Sequence, residues 1–259
     1  METLVTAEIA GAIGTITVRR PKALNALNAD VLAQMLECIT SLTSDPAVRV
    51  LVLAGEGERA FVAGADISEF VGASPQDAEV IAARIRKVTD ALTLSTKPVL
   101  AVVNGFALGG GFELALACDI RIASTTARFG LPEIKLGILP GGGGTVRLTK
   151  IAGSSVARML AMTGDQITAQ RAYDLGLVAS VHEPADLQAA AMELAGRLAA
   201  SAPIALAQLK ASLNIAVDAP TAVALDAEIK AFALCYATAD QEEGAKAFLE
   251  KRKPDFKGR

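Results

Sequence analysis

The chain has a single histidine and no tryptophan, and aromatic residues make up only 4% of it. A zinc hydrolase needs more histidines or a cysteine cluster. The cysteines, Cys38, Cys118 and Cys235, are far apart and form no CxxC pair. That spacing supports neither a metal site nor a disulfide framework, and the expectation is reduced, buried thiols in a cytoplasm. A Ser-His-Asp triad would have to use His182, yet there is no G-x-S-x-G elbow. His182, in Val178-Ala-Ser-Val-His182, reads as a structural residue at a strand end. Acid–base chemistry therefore falls to carboxylates. A basic face and stacking aromatics, the marks of a nucleic-acid binder, are missing too, with a net charge of −3 and a pI near 5.4. No apolar run approaches the ~18–20 residues that cross a bilayer. The start, Met1-Glu2-Thr3, shows no targeting pattern.

What remains is a chain of 259 residues, 52% hydrophobic, with mean hydropathy +0.40. That is enough to bury a core without crosslinks. Alternation over residues 4–18 predicts a β-hairpin. Asn28-Ala29-Asp30 opens a helix with Val31, Leu32, Met35, Leu36 and Ile39 on one face. Continuous apolar runs at 48–54 and 98–103 predict buried parallel strands, with a helix over 75–94 between them. A glycine-rich turn, Gly105 to Gly111, leads into a helix from Glu113, and Ile120-Arg-Ile122 is another strand. This order is α/β, and sites in such folds lie at the ends of parallel strands. Beyond Gly142 the pattern is helical with one interruption. Helices are expected over 186–200, 203–217, 220–237 and 240–251, with Pro203 and Pro220 at helix starts. The division expected is a core over 1–200 carrying the site and a helical region over 201–259.

Three segments can carry chemistry. In Asn104-Gly105-Phe106-Ala107-Leu108-Gly109-Gly110-Gly111-Phe112-Glu113, consecutive glycines before a helix expose backbone N–H groups to a ligand. No P-loop or G-x-G-x-x-G spacing is present. Glu113 sits on the face of those amides, where its charge suits proton transfer beside a held oxygen better than phosphate binding. The alternative is a helix packed closely on a strand. A second segment, Phe61-Val-Ala-Gly-Ala-Asp66-Ile67, is either exposed backbone after a strand or an ordinary turn with Asp66 as helix N-cap. A third, Phe129-Gly-Leu-Pro-Glu133-Ile134, runs into Leu139-Pro-Gly141-Gly-Gly-Gly144, whose glycines offer free amides or a flexible connection.

Together these segments resemble the enoyl-CoA hydratase/isomerase (crotonase) superfamily. The likeness also takes in Arg20-Pro-Lys-Ala-Leu-Asn-Ala-Leu27, Leu160-Ala-Met-Thr-Gly-Asp165, Ala172-Tyr-Asp-Leu-Gly-Leu-Val178 and the tail Ala247 to Phe256. It implies a superhelix of ββα units with a C-terminal α-helical trimerisation region, assembled as a homotrimer or a homohexamer of two stacked trimers. It implies an acyl-CoA thioester as substrate, with no separate cofactor and no metal, because coenzyme A is part of the substrate. The family's oxyanion hole, two backbone amides, maps onto Ala65 and Gly110. The 63–67 loop, with Ala63, Asp66 and Ile67, would wrap the adenine end of the CoA. Lys22, Ala23 and Leu24 would border the pantetheine, and Phe248 and Lys251 would lie near the CoA.

The family's hydratases hold one water between two glutamates, which map onto Glu113 and Glu133, with the Gly141 amide as a third contact to the water. Both glutamates favour a hydratase. Relatives resembling Δ3,Δ2-enoyl-CoA isomerases generally keep the carboxylate at 133 and lose the one at 113. The remaining alternatives are that isomerase, a hydratase of carrier-protein-linked enoyl groups, and a non-catalytic CoA- or RNA-binding homologue. Two departures stand out. Gly142 occupies a position where many members have alanine, which should loosen the turn without touching the chemistry. Phe112 stands where a small residue is common, and either faces the sheet or borders the acyl pocket. The tail from Lys246 to Arg259 carries six basic residues against Glu250 and Asp255, either a solvated end or help for the CoA phosphates.

Overall fold

The structure is a computed structural model that describes residues 2–259. Strands β1 (Val5–Ala10) and β2 (Ile13–Val18) form the expected antiparallel hairpin. Helix α1 (Ala29–Ser44) begins where Asn28 Oδ1 accepts from the Val31 N–H, and it buries Val31, Leu32, Met35, Ile39 and Leu42. Strand β3 (Val50–Gly55) and a short β4 (Ala60–Val62) follow. Helix α2 (Pro75–Leu94) has the bounds its sequence predicts, fixed by a capping box between Ser74 and Asp77 with Pro75 in the first turn. Next come β5 (Val99–Val103), β6 (Phe106–Leu108), α3 (Gly110–Ala117), β7 (Ile120–Ser124) and β8 (Arg128–Gly130).

These strands build two sheets. The larger has the order β1-β2-β3-β5-β7 and runs parallel from β2 onward. The smaller pairs β4, β6 and β8 in parallel. The chain thus repeats one unit: a strand in the large sheet, a strand in the small sheet, then a helical segment. The small sheet has no counterpart in the sequence reading, because three-residue strands are too short to display a period.

Helix α4 (Gly144–Thr163) breaks at Gly153, and β9 (Gln166–Thr168), α5 (Ala169–Asp174) and β10 (Ser180–His182) follow. The helical stretch beyond Gly142 is therefore interrupted by two strands rather than one. β9 joins the edge of the small sheet, and β10 completes the large sheet against β7. His182 ends β10 as expected, with Nε2 2.7 Å from Ser180 Oγ.

Helix α6 (Leu187–Ala199) covers one face of the large sheet, where Leu187, Ala191 and Ala195 meet Val50, Val52, Leu100 and Ile122. The main core lies on the other face, between that sheet, α1, α2, α3 and the small sheet. Helices α7 (Pro203–Asp218), α8 (Thr221–Cys235) and α9 (Ala239–Leu249) close the chain. The only residue α7 buries is Lys210, whose Nζ donates to the carbonyl oxygens of Leu92 and Lys97 and pairs with Asp119 at 2.8 Å. Along α7 and α8, Leu209, Leu213, Val223, Leu225, Ile229 and Phe232 stay exposed. No helix is long and apolar enough to cross a membrane among the described residues.

Candidate active site

The site grows from the glycines between β6 and α3. Gly109 has φ 50°, a backbone that L side chains rarely adopt, and it turns the chain sharply into α3. Behind the turn, α3 presses on β4 so closely that a Cβ at Gly111 would lie 1.9 Å from Val62 O. Only glycine fits there. The tight approach brings the start of α3 against the end of β4, beside the 63–67 loop.

That loop is itself held. Leu27 pairs with Ala65 through the Leu27 N–H to Gly64 O and the Asp66 N–H to Leu27 O, at 2.9 and 2.7 Å. The Ala63 N–H donates to Leu24 O, which sets the 22–24 turn beside the loop. A Cβ at Gly110 would lie 3.9 Å from Ala65 N. Among the described residues, neither the Ala65 amide nor the Gly110 amide at the start of α3 meets an acceptor. Two residues with free N–H donors, Ala65 and Gly110, thus lie next to each other.

The Asp66 side chain is already engaged. Oδ1 accepts from the Ser68 N–H and hydroxyl, and Oδ2 pairs with Arg20 at 3.1 Å. The Ser68 hydrogen bond, followed by that with Arg20, holds its carboxyl below the usual carboxylate range. The N-cap reading of Asp66 is the one its geometry matches. Arg20, absent from the sequence-based candidates, pins both segments, because its Nη1 also donates to Ala26 O at 2.6 Å.

The two glutamates lie against adjacent glycines of this turn. Glu113, in the first turn of α3, is 1% exposed. Its Oε1 accepts from the Gly142 N–H at 2.8 Å and the Gly144 N–H at 2.7 Å. Burial pushes its pKa up, and those two amides and the Arg147 charge oppose the rise. Glu133 sits in a 3-10 helix, Pro132–Leu136, with Oε2 buried and without a hydrogen-bond partner. Burial first, then the neighbouring Glu113 charge, push its pKa up to about 7. A Cβ at Gly109 would lie 3.0 Å from Glu133 Oε1, and one at Gly110 would lie 3.9 Å from Glu113 Oε2. Gly109 and Gly110 are thus the point where both carboxylates and both free amides meet.

Gly142 departs from its expectation. A Cβ there would lie 2.8 Å from Glu113 Oε2 and 2.3 Å from Ile85 Cγ2, so this glycine bears directly on the carboxylate rather than merely loosening a turn. Gly141, the expected water contact, leaves its N–H without an acceptor. The glycine run suggests free amides at a helix start; that two of them would reach back to Glu113 is visible only in three dimensions. Phe112 is fully buried against Phe129, ring centroids 5.5 Å apart, so it belongs to the core. Lys22, Ala23 and Ile67 are exposed at the edge of the loop pair. Phe248 and Lys251, at the end of α9, are exposed and do not join the cluster around Gly110. Cys38, Cys118 and Cys235 are free, and burial pushes the Cys118 thiol up to about 12. No group of three His, Cys, Asp or Glu side chains that could hold a metal occurs among the described residues.

The enoyl-CoA hydratase/isomerase family model matches residues 8–259. The chain belongs to the enoyl-CoA hydratase/isomerase family. It is 44% identical to the crotonyl-CoA hydratase of Syntrophomonas wolfei over 244 residues, 94% of each chain. It is 45% identical to the short-chain-enoyl-CoA hydratase of Clostridium acetobutylicum over 250 residues, 96% of each chain. The crystal structure of the enoyl-CoA hydratase from Bacillus anthracis superposes with a TM-score of 0.96 at 36% identity, covering 99% of this chain and 100% of that one. The repeated strand–strand–helix unit is thus the fold of this family.

Proposed function

We propose that the chain, an enoyl-CoA hydratase, adds water across the C2=C3 bond of a 2-enoyl-CoA with Glu113 and Glu133 acting as an unequal pair. The observation that carries this reading is the convergence on Gly109 and Gly110 of two free amides and two carboxylates, one anchored by two glycine amides and the other with a buried oxygen, Oε2, left without a partner. Burial pushes both carboxyls up, but the Gly142 and Gly144 amides and the Arg147 charge oppose the rise at Glu113, whereas the Glu113 charge adds to it at Glu133; surroundings that differ in this way suit opposite proton roles.

The thioester oxygen lies between the Ala65 and Gly110 N–H groups. Donors fixed where charge develops are worth roughly 10²–10³ in rate each. A water sits between the two carboxylates, with the free Gly141 N–H as a third contact. Glu113, held by Oε1, takes a proton from the water through Oε2 as the water oxygen bonds to C3. The C2=C3 electron pair moves toward the thioester oxygen, giving an enolate that the two amides stabilise. Protonated Glu133 then gives its proton to C2 on the same face, the carbonyl re-forms, and the product is a 3-hydroxyacyl-CoA. The proton on Glu113 returns to Glu133 before the next turnover, so no cofactor is consumed.

The CoA runs along the edge formed by Lys22, Ala23, Leu24, Ala63 and Ile67. Asp66 serves this edge by holding the loop rather than by touching the nucleotide. The exposed apolar face of α7 and α8 suits burial between copies of the chain, as a homotrimer or a homohexamer. Phe248 and Lys251 would complete a CoA site only in such an assembly. The free thiols suit a reducing compartment such as the cytoplasm.

The test is loss of the conjugated-thioester absorbance when the protein meets crotonyl-CoA, with 3-hydroxybutyryl-CoA as product. Glu113→Gln and Glu133→Gln should abolish most of that loss while CoA ligands still bind. Near-wild-type turnover in either variant would overturn the paired-glutamate mechanism.

A further inference from the structure

Gly142 is gripped from outside its own loop. Its carbonyl oxygen accepts from Arg147 Nη1 at 2.8 Å and from Thr89 Oγ1 at 3.1 Å. Thr89 lies on α2 and is 0% exposed. Its hydroxyl also faces Arg86 O in its own helix at 3.0 Å, a local bond that a buried threonine ordinarily makes. Gly142 O is thus a second acceptor, outside the helix, that shares the one hydroxyl proton with Arg86 O. One turn earlier on α2, Ile85 fills the space that a Cβ at 142 would take. Asp90, beside Thr89, steadies Arg147 through its Nη2 at 3.3 Å.

The peptide unit whose oxygen is held lies between the two N–H groups that reach Glu113, those of Gly142 and Gly144. Glycine peptides have the widest choice of backbone conformation, and Gly143 already sits at φ 105°. Nothing within the run of four glycines fixes the plane of that peptide, so its orientation comes from the donors that grip it. We propose that Thr89 is a positioning residue for Glu113, acting through the Gly142 peptide. The proposal rests on the reading of Glu113 as the residue that takes the water proton. Arg147 grips the same oxygen, but its charge also acts on Glu113. Thr89 is neutral, so changing it separates geometry from charge. The charged groups facing Glu113 are Arg147 from α4 and Glu133 from the 3-10 helix; α2 contributes Asp90, paired to Arg147.

The experiment measures kcat, KM and the pH dependence of kcat for Thr89→Val, Thr89→Ala and Thr89→Ser on crotonyl-CoA. Valine keeps the shape and removes the donor, alanine removes the donor and leaves space, and serine keeps the hydroxyl. Losing one hydrogen bond from the anchoring network should lower kcat roughly 3- to 10-fold in Val and Ala, with KM little changed. Looser anchoring amides raise the pKa of Glu113, so the acidic limb of the profile should move to higher pH in both. Serine should restore kcat and the limb. Val and Ala variants that only melt earlier, with kcat and the acidic limb unchanged, would overturn the proposal, as would a Ser variant as impaired as Val. If Val does not fold, the Ala and Ser pair decides. Glu113→Gln measured alongside separates the two failures: an active Gln variant removes the underlying reading of Glu113, whereas an inactive one beside an unaffected Thr89→Val removes only the role of Thr89.

Discussion

Glu133 faces Gly109 and Glu113 faces the adjacent Gly110, and the two carboxylates differ in how they are held. Glu113 Oε1 is fixed by two backbone N–H groups, at 2.8 and 2.7 Å, while Glu133 Oε2 is buried with none. Anchoring by N–H donors favours the ionised form of a carboxyl, and unpartnered burial favours the neutral form. The difference arises from the chain's local shape. Glu113 lies against the glycine run that opens α4, whereas Glu133 sits in a short 3-10 turn where its own backbone N–H is the amide that opposes the rise in its pKa.

Replacing either glutamate by glutamine should cost roughly 10²–10⁴ in kcat, the usual worth of a proton-transfer role. In Glu113→Gln the side-chain carbonyl oxygen can still accept the Gly142 and Gly144 N–H groups, so fold and ligand binding should survive. Steady-state kinetics together with titration of a non-reactive acyl-CoA checks both halves. Weakened binding with intact turnover would contradict the assignment.

The pH dependence follows from the same asymmetry. In the proposed mechanism Glu133 works protonated, and its pKa is pushed up to about 7, so kcat should fall as pH rises through that value. Stability carries the matching sign. Below pH 4.5, its ordinary value, Glu133 is protonated in both folded and unfolded chains. Between there and about 7 the unfolded chain releases a proton that the folded chain retains, so stability is lost across that window. Glu133→Gln does not titrate and should escape the loss. Allowing for solvent screening of a half-buried group, the variant should gain about 1–2 kcal/mol on wild type at pH 8 relative to pH 4.5. Urea unfolding at the two pH values measures it, and a constant difference between the proteins would refute the sign.

Long periodic stretches were legible in the sequence: the hairpin, α1, α2, β5 and the C-terminal helices follow their apolar patterns. The small sheet was not, because Ala60–Val62 and Phe106–Leu108 carry too few residues to show alternation. The proposed roles of the glutamates and of the Ala65 and Gly110 amides come from the family's motifs, since spacing alone could not separate a catalytic Glu113 from a helix packed on a strand. What holds them was hidden. Arg20 to Asp66 and Thr89 to Gly142 are partnerships between residues 46 and 53 positions apart, and no local pattern announces such a pair.

Lys210 is where the C-terminal helices lock onto the core. Its ammonium meets Asp119, whose other strong contact is the Val99 N–H at 2.7 Å. Burial pushes the Asp119 carboxyl up, and Lys210 is the largest influence holding it down. Lys210→Met would leave that carboxylate unpaired and should cost roughly 2–4 kcal/mol of unfolding free energy. Adding Asp119→Asn removes the stranded charge and should recover part of the loss. Denaturant titrations of the single and double variants test this. A double variant no more stable than Lys210→Met alone would show that the pair does not matter as a pair.

Gly142 and Ile85 share one space. A methyl group at 142 would lie 2.3 Å from Ile85 Cγ2 and 2.8 Å from Glu113 Oε2. Real Cβ atoms do not approach so closely, so Gly142→Ala must displace something, and the isoleucine methyl is the more yielding neighbour. Until it yields, the added methyl presses on the carboxylate proposed to take the water proton. Gly142→Ala alone should therefore lower kcat by about 10-fold, the size of a 1–2 kcal/mol overpacking strain expressed at the site. Ile85→Ala opens the space, so the double variant should recover most of kcat even though Ile85→Ala by itself loses core packing. Separate sites would instead show additive losses. A double-variant cycle in kcat on crotonyl-CoA decides between recovery and additivity, and additivity would mean that the shared space has no bearing on Glu113.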